Sequence, residues 1–143
     1  MNIARHLALI DELCYRPFPA EHGPSDVGVS GPGRHTAVLE AAPDDDPALR
    51  AVTIDQYETD RDAVYELLAS RWGDTPPYSL QTVLLRGERE EIPPAWAELS
   101  ACASVAYVWE VEGTGRWVAV AVTDRDTSRG VRLLALVTET DPP

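Results

Sequence analysis

Three segments in the last third of the chain, 104–112, 116–123 and 130–139, are rich in Val, Leu, Tyr and Trp and are separated by Gly-bearing turns. Bulky and β-branched runs of that length, punctuated in that way, predict a three-stranded antiparallel meander. With Gly113-Thr114 as a two-residue type II′ turn, Trp109 falls opposite Val118 and Tyr107 opposite Val120. The register sorts the side chains. Val105, Tyr107, Trp109, Val111, Val118, Val120 and Val122 make a bulky face. Ala106, Val108, Ala119 and Ala121 make a shallow one, with Glu110 and Trp117 near its rim. A sheet apolar on both sides must be covered on both, or must leave one side for a partner.

Two amphipathic helices are available as cover. Ile3, Leu7, Ile10 and Cys14 form one helical stripe over residues 2–15, with Asn2 as N-cap and Pro17 as terminator. A second helix is expected over 59–72: Thr59 caps it, Asp60 and Asp62 suit its positive end, Val64, Leu67, Leu68 and Trp72 line one face, and Gly73 stops it. One helix on each face is the simplest arrangement; the alternative leaves the sheet partly covered by the first helix and its loop. Residues 35–41 and 49–54 read as strands joined through Pro43-Asp44-Asp45-Asp46-Pro47. Residues 16–34, with four Gly and four Pro, read as a long loop, either a functional flap or a linker that docks the first helix. Residues 78–85 fit a strand or a helical turn equally, and Pro93-Pro94 opens a short helix through Trp96 and Leu99. There is no βαβαβ alternation. The fold class is therefore α+β: one domain over 1–143, a C-terminal three-stranded antiparallel meander packed with two amphipathic helices, with room for an additional N-terminal hairpin.

A chain of 15.7 kDa can bury a core without a metal or disulfide as staple. Cys14 and Cys102 allow at most one bridge, and reduced thiols are expected, with Cys14 serving as a small apolar residue on a helix. No secretion signal and no run approaching a membrane span is legible, so a cytoplasmic protein is expected, with no membrane partner. All 12 cationic residues are arginine. That excludes Schiff-base, P-loop and ordinary kinase chemistry, each of which needs a lysine amine. Scarce Asn, Met, Phe and Ile beside abundant Ala, Val, Arg, Asp, Gly and Pro attribute the absence to the codon bias of a high-GC bacterium.

The chemical constellations are thin. His6, His22 and His35 with the Asp triplet lack any metal-ligand spacing, so neither metal nor cofactor is expected. Gly28-Val29-Ser30-Gly31-Pro32-Gly33 matches neither a nucleophile elbow nor a phosphate loop, although Ser30 has His22 and His35 nearby in sequence. Glu110 is expected to form a rim salt bridge with Arg116 or Arg132. Arg125, Arg129 and Arg132 are offset by Asp124 and Asp126, so no nucleic-acid stripe results. Four tryptophans between Trp72 and Trp117 suit a core or an interface anchor.

Charge distribution carries the functional expectation. Nine carboxylates and two arginines lie between Glu40 and Glu66, a net −7 of the chain's −12. Such a field repels nucleic acid and attracts basic protein surfaces. The expectation is a binding module rather than an enzyme, a small acidic protein of the immunity type that neutralises a basic partner such as a toxin. Its expected contacts are Asp44, Asp45, Asp46, Asp60, Asp62 and Glu66, with Tyr107 and Trp109 as anchors. Two alternatives stand beside it: a small-molecule-binding or enzymatic domain with a pocket on the sheet face around Tyr107 and Trp109, and an accessory subunit of a larger assembly.

Overall fold

The computed structural model describes residues 3–42, 47–126 and 130–143. Along the chain lie α1 (Ile3–Leu13), β1 (Gly23–Pro24), β2 (Gly28–Gly31), β3 (Arg34–Ala41), α2 (Pro47–Trp72), β4 (Tyr78–Ser79), α3 (Leu80–Arg86), α4 (Pro94–Cys102), β5 (Val105–Val111), β6 (Arg116–Val122) and β7 (Arg132–Thr138). The class is α+β, as expected. Among the described residues the sheet, however, has seven antiparallel strands in the order β1-β2-β3-β7-β6-β5-β4 rather than three.

The meander occupies one half of that sheet in the expected register, with Trp109 opposite Val118 and Tyr107 opposite Val120. Its first turn is wider than two residues. The ladder ends at Val111 and Arg116, and Gly113 and Gly115 both take positive φ, which a side chain would resist. The other half comes from β3, which pairs with β7, and from β1 and β2 inside the segment expected to be a loop. Glycine explains why those strands leave no hydrophobic pattern: a Cβ on Gly28 would sit 2.2 Å from the Thr36 carbonyl oxygen, so β2 approaches β3 through bare backbone.

The hairpin between 35–41 and 49–54 does not form. Residues 49–54 belong to α2, which runs 26 residues without a break. Pro47 stands at the start, where a proline lacks nothing the helix needs, and Leu49 and Val52 are exposed, so no sheet face claims them. Thr59 is accordingly mid-helix, its hydroxyl donating to the Asp55 carbonyl, rather than a cap. The helix does stop at Gly73, at φ +95°. Residues 78–85 hold both readings in sequence: Tyr78 and Ser79 pair with β5, and the Ser79 hydroxyl then caps α3 by accepting from Thr82 N–H. Pro76 and Pro77, having no N–H, keep the ladder from extending further along this edge.

Coverage of the two faces also differs from one helix each. Both α1 and α2 cover the bulky face, where Ile10, Leu13, Tyr57, Val64 and Leu68 pack on Trp109, Val118, Val120 and Leu133. The shallow face receives Leu80 of α3 and Trp96 and Leu99 of α4 against Ala106, Ala119, Ala121 and Leu136. Small strand residues let these short helices sit close. Leu67, expected to face inward, is exposed.

Candidate functional site

With Tyr57, Val64 and Leu68 turned to the sheet, the 3.6-residue period presents Val52, Asp55, Thr59, Asp62 and Glu66 on the opposite side of α2. Their spacings of three, four, three and four residues make one exposed stripe along the helix. At its N-terminal end Leu49 and Val52 are 60% and 64% exposed, which places two apolar side chains near Asp55, with Asp62 and Glu66 further along the same helix. Asp62 is held by the Arg61 guanidinium at 3.2 Å. Of the acids singled out in the sequence, Asp62 and Glu66 meet here; Asp44, Asp45 and Asp46 lie outside the described residues. Asp55 joins them because the helix begins earlier than its local sequence suggests.

Tyr107 and Trp109 lie under α2. Trp109 is buried, its indole N–H donating to the Gly73 carbonyl at 2.9 Å, and it touches Tyr65 and Trp72 in a tilted aromatic cluster. Tyr107 is half-buried against Tyr65, with the Arg61 guanidinium 5.3 Å from its ring centre. These rings anchor the helix that carries the acidic stripe, so they act on that surface by positioning it.

Asp60 is the exception among the acids. It is buried on the α1 side of α2, where Gln56 Nε2 donates to its Oδ1 at 3.1 Å. There it faces Glu40 of β3 and His6 of α1, with Glu40 Oε2 3.8 Å from His6 Nε2. His6 Nε2, Glu40 Oε2 and Asp60 Oδ2 are all buried without a conventional hydrogen-bond partner. Burial, then Asp60 as hydrogen-bond partner and like charge, pushes the Glu40 carboxyl up to about 7. Burial also lowers the pKa of His6, against the pull of Asp60. The sequence carried one sign of this cluster: His6 stands in the buried stripe His6, Ile10, Leu13 of α1, where an apolar residue is ordinary.

Ser30 and His35 do meet, Oγ to Nδ1 at 2.7 Å, and His35 Nε2 lies 3.2 Å from the Arg16 carbonyl. A hydroxyl donating to an imidazole whose far N–H is oriented resembles the start of a nucleophilic pair. Both residues are buried, however, at 3% and 1% exposure, and Phe18 stacks on the imidazole. No substrate reaches that hydroxyl, and the pair instead ties residues 16–18 to β2 and β3. Burial lowers the His35 pKa, keeping the ring neutral.

The expected Glu110 ion pair does not form. Arg116 donates to the Leu13 and Arg16 carbonyls, Arg132 pairs with Asp126, and Glu110 is exposed. On the shallow face, beside α4, a groove of about 560 Å³ opens over Thr36, Val38, Leu134 and Leu136, with Glu98 and Cys102 along one wall. Among the described residues, no three His, Cys, Asp or Glu side chains are grouped to hold a metal ion, and no helix is long and apolar enough to cross a membrane. No protein-family model, no curated protein and no solved structure matches this chain.

Proposed function

We propose that this chain is an acidic protein-binding module of the immunity type, which captures a basic protein on the outer face of α2. The observation that carries the reading is the exposed stripe of Asp55, Asp62 and Glu66, with Leu49 and Val52 exposed at its N-terminal end. Carboxylates in that position steer a cationic surface into encounter, and the neighbouring apolar side chains slow its release. The rigid attachment of α2 through Val64, Leu68 and the aromatic cluster supports the reading, since a preordered helix loses little freedom on binding.

The test begins with affinity capture from the native host and identification of a basic partner. Association rates of the variant Asp55→Asn/Asp62→Asn/Glu66→Gln are then compared with those of the unmodified protein at two salt concentrations. Association should slow by about tenfold at low salt. The difference should shrink at physiological salt, where exposed charges are screened over ~8 Å. Equal rates at both concentrations would reject the α2 face as the docking surface.

The groove beside α4 favours a second reading, a carrier of a small apolar molecule. Native mass spectrometry of protein purified from its host should then show a bound species that is lost from Val38→Phe, a substitution that fills the groove floor.

A further inference from the structure

Glu40 reaches the helix-covered face because of a bulge in β3. Val38 pairs with Leu134, whose side chain is on the shallow face, while Glu40 pairs with Leu133, whose side chain is on the bulky face. Strict alternation from Val38 would have turned Glu40 to the shallow side; the extra residue, Leu39, reverses it. The bulge therefore aims a carboxylate into the seam between α1 and α2, where it meets a second carboxylate and an imidazole. Burying two charged carboxylates side by side is strongly unfavourable unless one is neutralised. Among the described residues neither has an arginine within ion-pair distance, and no metal-holding group is present.

We propose that His6, Glu40 and Asp60 form a clasp joining α1, β3 and α2, in which one proton held between the two carboxyls replaces the missing cation and His6 offsets the clasp's dependence on pH. The proton sits on Glu40, whose hydroxyl donates to Asp60. Three elements then share a single negative charge, and neutral His6 contributes bulk without adding a second unpaired charge.

The charged and titratable groups facing the clasp are few. From α1 come His6 and Arg5, and from β3 comes Glu40. From α2 come Asp60 and Tyr57, and the amino-terminal charge acts on both His6 and Glu40. Glu40 is raised in the folded state, so its contribution is fully present below about 4.5 and is lost as pH rises through about 7. His6 is lowered, so its contribution is present above 6.5 and is lost as pH falls below that value. Where the windows overlap, the slopes oppose. Opening the clasp lets Glu40 release a proton while His6 takes one up, and the exchange leaves stability nearly level.

Glu40→Gln and His6→Gln each remove one side of this balance. Urea titrations of both variants and the unmodified protein between pH 5 and 8 give the ratio of each variant's unfolding constant to that of the unmodified protein. Effects of His35 and the surface groups are common to all three and cancel in the ratio. For Glu40→Gln the ratio should fall as pH rises towards 7, by up to about tenfold per pH unit. For His6→Gln it should fall in the opposite direction, as pH drops below 6.5. Ratios constant with pH would overturn the proposal. Should a variant fail to fold, infrared titration of the unmodified protein decides: a carboxylic C=O band that persists at pH 6 and disappears near 7 supports the shared proton. Absence of such a band refutes it.

Discussion

Arg116 donates from one Nη to the Leu13 and Arg16 carbonyls, 2.7 Å each, and its guanidinium lies 3.9 Å above the Phe18 ring. A cation at the end of α1 satisfies carbonyls that the helix leaves unpaired and opposes the negative end of its dipole. The same contact holds the chain where it leaves α1, so one side chain from β6 fixes both a helix end and the path beyond it. Cys14 lies in the same region, buried with its thiol pushed up to about 11 by desolvation, whereas Cys102 is half-buried at the groove. Reactivity follows the thiolate and its access. A thiol reagent at pH 8 should therefore modify one equivalent per native chain, at Cys102, and two once the protein is unfolded in urea. Two fast equivalents in the native protein would mean that Cys14 is not enclosed.

At the scale of elements, α2 joins a buried face to a solvent face, and two adjacent leucines separate them. Leu68 is fully buried and Leu67 is 44% exposed. Leu68→Ala should cost ~2–5 kcal/mol in a denaturant titration, and Leu67→Ala less than about 0.5 kcal/mol. Similar losses at both sites would mean that the helix is rotated about its axis so that Leu67 also meets the sheet. The meander was legible because its strands alternate bulky residues between Gly-marked turns, and α4 because Pro94 opens it. The first turns of α2 were not, since Val52, Thr53 and Ile54 have the composition of a strand and only their tertiary surroundings decide otherwise. β1 and β2 were hidden because Gly28 and Gly31 contribute backbone rather than side-chain pattern. The acidic stripe was legible in its charge but not in its membership, which needs the helix phase to include Asp55 and exclude Asp60. Of the clasp only the place of His6 was legible, for a related reason: a bulge at Leu39 changes the face of Glu40 and has no signature in composition.

For the molecule as a whole, the densest strand pairing joins β3 to β7, near opposite ends of the chain and side by side in the sheet. Each half of the sheet therefore meets the other through the last strand. A chain ending at Asp126 retains α1, α2 and six strands yet leaves Ala37, Val118 and Val120 without Leu133, Ala135 and Val137 beside them. Such a truncation should show no cooperative thermal transition by circular dichroism, whereas removing 141–143 should leave one. A cooperative melt in the shorter chain would show that the two halves close without their shared strand.

During synthesis, β7 is made after both strands it joins, so the two halves of the sheet stay apart until residues 132–138 have left the ribosome's exit tunnel. Before that point the nascent chain can nucleate helices and the β5–β6 hairpin, but the sheet cannot be completed. Until then the apolar strands wait unpaired, and the chain's −12 charge, with its excess before β5, acts as built-in protection against association between neighbouring nascent copies on a polysome.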